Sequence, residues 1–279
     1  MKINVIGVPL NLGCDREGVE RAPNHLRERG LMRIIRKNGH RAFDLGNLYV
    51  PLVSEADKFA RGRSLKYLDA IVEVNNNLAE LVYDTLRGGA FPLVIGGDHS
   101  LGLGSASGVG KSFDDFGIIW LDAHGDINTS ETSPSGNIHG MPLSALMGMG
   151  SEELVNIYAP GNKVNPQNVF LVGTRSLDEG EQALIEREQL SVYTMDMIHL
   201  KGRGQYRSPL CTRYRDTRVR RVDAGRVQGF RRTYTIHQSD QVDGSGRAES
   251  RTGCERSDNQ SVLGHNRLYN SPFVSGFYC

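Results

Sequence analysis

Three potential metal ligands stand close together, Asp122, His124 and Asp126, in the run Trp120-Leu121-Asp122-Ala123-His124-Gly125-Asp126. Alternate residues of an extended segment point the same way, so the three side chains can converge on one point. Carboxylate and imidazole together suit a divalent first-row metal such as manganese. The run follows the apolar residues Ile118-Ile119-Trp120 and so falls at the C-terminal end of a buried strand, where parallel sheets bind ligands. A surface turn rich in Asp and Gly is the bland alternative. Three ligands directly after such a strand argue against it. A second apolar run, residues 91–95, ends in Gly96-Gly97-Asp98-His99-Ser100. Adjacent glycines let the backbone turn sharply and come close to a site. His99 then joins the first cluster if the two strands are neighbours; a structural histidine is the alternative.

The elements that must hold these residues follow a regular alternation. Residues 3–8, 41–45, 91–95, 117–121 and 169–172 read as short, mostly apolar strands. Helical patterns lie at 25–37, opened by Pro23-Asn24, at 65–87, stopped by Gly88-Gly89, from about His99, at 151–158 and at 179–188. Short apolar strands alternating with helices predict an α/β fold, a mainly parallel sheet covered on both faces. Residues 104–112 look superficially like a phosphate-binding loop ending in Gly110-Lys111-Ser112. The glycine required five positions before Gly110 is replaced by Ser105, so the spacing is wrong.

Composition divides the chain near residue 200. Residues 1–200 hold 18 Lys+Arg against 25 Asp+Glu, whereas residues 201–279 hold 15 against 7, and 14 of those 15 bases are Arg. Leu, Ile, Val and Phe are sparse over 201–279, below the level of a packed core. The expected organisation is a catalytic domain over 1–200 and a basic, poorly structured tail over 201–279. The few β-like fragments of that tail are residues 233–236 and 273–277. The N-terminus lacks the pattern of a signal peptide, and no stretch reaches the ~20 apolar residues of a membrane span. The cysteines Cys14, Cys211, Cys254 and Cys279 form neither a zinc pattern nor a dense disulfide framework, so a cytoplasmic location with reduced thiols is expected.

The two metal motifs together resemble the ureohydrolase family. The stretch Ile127-Asn128-Thr129 through Ser133-Pro134-Ser135-Gly136-Asn137-Ile138-His139-Gly140, with Arg175-Ser176-Leu177-Asp178-Glu179-Gly180-Glu181, resembles its bacterial arginase branch. Agmatinases share the metal motifs but not this loop. The resemblance runs from Met1 to about Ile198 and implies a three-layer α/β/α fold. It also implies manganese-dependent hydrolysis of L-arginine to L-ornithine and urea, in which two Mn²⁺ activate a shared, bridging hydroxide. By that resemblance His99, Asp122, His124 and Asp126 hold metal. Asn128, Ser135 and Asn137 bind the substrate α-carboxylate, Asp178 and Glu181 meet the α-ammonium group, and His139 shuttles protons. The family also assembles as homo-oligomers, trimers or hexamers.

The resemblance stops short of one part. Family members carry a later motif, Ser-x-Asp-x-Asp-x-x-Asp-Pro, whose first two Asp complete the dinuclear centre. No such run occurs here. Ser239-Asp240-Gln241-Val242-Asp243-Gly244 is the nearest, and its Asp residues stand three apart, which on a strand sends them to opposite faces. Two divalent ions sharing a hydroxide then keep too few carboxylates to balance them. The expectation is a tail produced by a shifted reading frame or sequence error near residues 200–204. The competing readings are an inactive arginase relative, an agmatinase-like hydrolase, and a nucleic-acid-binding appendage suggested by Arg213-Tyr214-Arg215 and Phe230-Arg231-Arg232-Thr233-Tyr234.

Overall fold

The computed structural model describes residues 1–202, 273–274 and 277–278. Asp240, Asp243 and the predicted fragment 233–236 lie outside the described residues, as does most of the predicted basic tail.

Six strands come from the acidic part of the chain: β1 (Lys2–Val8), β2 (Arg41–Asn47), β3 (Phe91–Gly96), β4 (Gly117–Leu121), β5 (Val169–Thr174) and β6 (Ser191–Thr194). Two short strands, β7 (Phe273–Val274) and β8 (Phe277–Tyr278), come from the end of the chain. They form two four-stranded sheets with orders β2-β1-β3-β8 and β6-β5-β4-β7. Every strand pair is parallel. The helices are α1 (Ala22–Glu28), α2 (Leu31–Lys37), α3 (Leu68–Arg87), α4 (Gly102–Ser112), α5 (Pro142–Leu146), α6 (Glu152–Val155), α7 (Glu179–Glu188) and α8 (Met195–Gly202).

Strand β1 shows why both sheet faces are covered. Ile3 and Val5 pack with Ile35 of α2 and Ile95 on one side, while Ile6 and Val8 join the main core under α3 and α4 on the other. A strand buried on both faces must be apolar along most of its length, as β1 is. The result is the expected three-layer α/β/α arrangement. Helix α3 buries Leu68, Ile71, Val74, Asn75, Leu78 and Val82 at helical spacing. Helix α4 lies so close that a Cβ at Gly104 would stand 2.5 Å from the Asn75 carbonyl. The Gly104 amide instead donates to Asn75 Oδ1 at 2.7 Å. The small residues of the false phosphate loop are therefore helix-packing residues.

Two helical expectations need correction. The segment 25–37 is two helices, because Gly30 takes a left-handed φ of 86° between them. The pattern at 151–158 forms only the single turn α6, with Leu154 buried.

Candidate metal centre

Both metal motifs end up at the C-terminal ends of their strands. Residue His99 follows β3, and Asp122, His124 and Asp126 follow β4. Strands β3 and β4 are not paired with each other: β8 lies on the edge of β3 and β7 on the edge of β4. The site therefore spans two separate strand ends. Backbone turns bring them together. Gly97 passes the Leu10 carbonyl so closely that a Cβ there would lie 1.8 Å from its oxygen.

His99 Nδ1 is 2.8 Å from Asp122 Oδ2 and 2.6 Å from Asp126 Oδ2. All three side chains are buried, and one ligand atom from each lies within 4.8 Å of the others. Burial alone would lower the His99 pKa, but hydrogen bonds to Asp122 and Asp126 outweigh it and push the imidazole up to about 9. Burial likewise opposes ionisation of Asp122, yet its bonds with His124 and His99 hold it well below the usual carboxylate range. The His99 nitrogen and the two carboxylates converge on one point, where a divalent cation would take the place of a proton. The set of one nitrogen and two carboxylate donors fits such an ion.

His124 is brought to the same site, but less tightly. Its amide and its Nδ1 both reach Asp122 Oδ1, at 2.9 and 3.2 Å, and its side chain is 44% exposed. Asp122 is thus the residue that touches both histidines.

Two residues outside the expected ligand set shape the centre. The Trp120 indole N–H donates to Asp126 Oδ2 at 3.2 Å, and its ring lies 4.6 Å from that of His99. Asp98 is buried and accepts from the amides of Gly13 (2.9 Å) and Ser100 (2.8 Å). Burial raises its pKa despite those bonds. The Gly13 carbonyl in turn accepts from the His139 amide at 3.1 Å. Asp98 and Trp120 both sit inside the quoted motifs, so their neighbourhood is visible in the sequence although their partners are not.

The expected substrate residues divide into two groups. Asn128 is buried and tied to Asp178, its Nδ2 donating to Asp178 Oδ2 at 2.7 Å. Asp178 also caps α7 through the amide of Glu181. Glu181 itself faces the metal loop: Oε1 accepts from the Gly125 amide at 3.0 Å, and Oε2 from the Asp178 amide at 3.2 Å. Burial raises this carboxyl to about 7. Gly125 lies between His124 and Asp126, and Asp126 has a left-handed φ of 50°, uncommon for a non-glycine residue. Glu181 therefore braces a strained loop. Ser135 and Asn137 form the second group, on the stretch around Gly136, where Ser135 Oγ accepts from the Asn137 amide at 3.2 Å. His139 is half-buried beside them.

Known proteins resemble this chain in sequence and in overall fold. The Arginase family model matches residues 1–219. Arginase from Brevibacillus brevis is 46% identical over 200 residues, which cover 72% of this chain and 66% of that protein. For Bacillus subtilis arginase the identity is 43% over the same shares. The crystal structure of Bacillus cereus arginase superposes with a TM-score of 0.67 at 41% identity, covering 74% of this chain and 68% of that one. The chain spans just under two thirds of the length of these curated relatives.

Proposed function

This chain belongs to the arginase family, and on that premise we propose that it binds L-arginine beside a metal centre built to hydrolyse it to L-ornithine and urea. The observation that carries the proposal is the convergence of His99, Asp122 and Asp126 within 4.8 Å beside the Asn128–Asp178 pair. His99, Asp122 and Asp126 would hold one metal ion, and Asp122 with His124 would contact a second. Manganese is the proposed metal, and when bound it supplies a Lewis acid that makes water nucleophilic near neutral pH.

The chain's own residues have separable tasks. Asp178 offers a carboxylate to the substrate α-ammonium group, and Asn128 keeps that carboxylate in place. Ser135 and Asn137 address the α-carboxylate. Water adds to the guanidinium carbon, the bond to the side-chain nitrogen breaks, and that nitrogen must receive a proton. His139, anchored through Gly13 to Asp98, is the residue proposed to deliver it. A cytoplasmic location, which rests on the cysteine pattern of the sequence, and homo-oligomeric assembly, which rests on family membership, belong to the same proposal.

The proposed turnover of the chain as written is low, because its sequence lacks the second aspartate motif. The residues after about 200 are proposed to come from a shifted frame. Another frame of the coding DNA past codon 200 should then encode Ser-x-Asp-x-Asp-x-x-Asp-Pro, and both frames lacking it would remove that explanation. The functional test is urea release from L-arginine by the whole chain, 1–279, loaded with manganese at alkaline pH. Activity is expected to be detectable at most, and turnover within about tenfold of the Brevibacillus brevis enzyme would refute the broken-centre reading.

A further inference from the structure

A cavity of about 540 Å³ opens beside the Ser135–Asn137 stretch, and its lining includes Phe59, Arg63, Ser64, Lys66, Ser133 and Ser135. The charged residues of that lining are both cationic. Lys66 is fastened to the loop twice: its amide donates to the Gly136 carbonyl at 3.1 Å, and its Nζ to Asn137 Oδ1 at 2.8 Å. The Asn137 Nδ2 donates to the Cys14 carbonyl at 3.2 Å, so the orientation of this amide is fixed from both ends. Lys66 Nζ also reaches Asp15 Oδ2 at 3.1 Å, but Lys58 reaches the same oxygen at 2.8 Å. Lys58 has one other acid nearby among the described residues, Glu55, at 3.7 Å and 80% exposed. Asp15 is thus shared by two lysines, and the Lys58–Asp15–Lys66 cluster keeps one net positive charge beside the loop. Both lysine side chains are only 16% exposed, which weakens screening by water.

We propose that Lys66 is a specificity-determining residue that makes the site prefer a guanidino α-amino acid over the corresponding decarboxylated amine. This rests on the arginase reading above. A substrate carboxylate at Ser135 and Asn137 meets the field of Lys66 and the exposed Arg63. The decarboxylated compound brings only cations to that end and gains nothing from either residue. Such charge complementarity selects partners through repulsion as well as attraction.

The test is calorimetric titration of the metal-free protein, which cannot turn substrate over, with L-arginine and in parallel with agmatine. The wild-type chain should favour L-arginine by about tenfold or more. Lys66→Gln, which keeps an amide donor for Asn137 but removes the charge, should lose that preference through weaker L-arginine binding, with agmatine binding unchanged. Lys66→Arg should retain it. An unchanged ratio in Lys66→Gln, or equal losses for both ligands, would overturn the proposal while leaving the arginase reading intact. A wild-type chain that binds neither ligand would overturn both. If Lys66→Gln does not fold, Arg63→Gln decides on the exposed side of the cavity, with an expected loss of about threefold for L-arginine alone. No loss there would count against the proposal.

Discussion

The segments 1–200 and 201–279 are built from different material. The first is net acidic, alternates strands with helices, and matches arginases over its whole length. The second is net basic, rich in Arg and poor in large aliphatics. The ligand candidates that the structure gathers all belong to the first, at the ends of β3 and β4, while the second adds the short strands β8 and β7 on the edges of β3 and β4 that face away from β1 and β5. A site assembled from separated strands can lose half its ligands while the other half keeps its geometry. Here His99, Asp122 and Asp126 meet within 4.8 Å although the sequence holds no Ser-x-Asp-x-Asp-x-x-Asp-Pro run.

That contrast predicts its largest effect for a chimera. Replacing the segment 203–279 by the corresponding part of Brevibacillus brevis arginase should raise urea release about a thousandfold or more if, as proposed, what the chain lacks is metal ligands and not merely their supports. A chimera no more active than the parent would place the defect in the segment 1–202 instead.

Glu181 tests the retained half. Glu181→Gln keeps one acceptor where two amides, of Gly125 and Asp178, now bind. Manganese affinity should fall about 10–100-fold, the usual cost of losing support behind a ligand. The Gly125 amide should exchange faster with solvent even without metal. Unchanged affinity and exchange would show that Glu181 does not brace the loop.

The smallest effect concerns packing. Asn75→Ala removes the bond between α3 and the Gly104 amide and should cost about 1–3 kcal/mol of stability by thermal or denaturant unfolding. The loss should be the same in the parent and in the chimera, because Asn75 lies far in sequence from the join. A loss seen only in one of them would mean that the two regions are coupled.

Strands and metal ligands are legible in the sequence for a physical reason. A buried parallel strand is apolar along most of its length and places polar residues at its end, so Asp122 and Asp126 stand out as candidate ligands; the structure groups them with His99 and leaves His124 to Asp122 alone, on a segment that bends and is not extended. Helix ends are less clear: the split at Gly30 depends on one backbone angle, and β6 with α8, whose residues alternate weakly, gives no readable pattern. The contacts that tune the site are not legible at all. Glu181 reaches Gly125 across 56 positions and Lys66 reaches Asn137 across 71. No local periodicity encodes such a meeting. The motif at 178–181 does mark Glu181, but for the α-ammonium group and not for the metal loop it faces.

The most direct measurement is manganese stoichiometry by equilibrium dialysis of the whole chain, 1–279. With His99, Asp122 and Asp126 gathered at one position and only Asp122 and His124 proposed for a second, the chain should take up about one ion per molecule, weakly. His99→Ala should abolish even that. Two ions bound per chain at micromolar free manganese would contradict the account and show that the segment 201–279 supplies ligands after all.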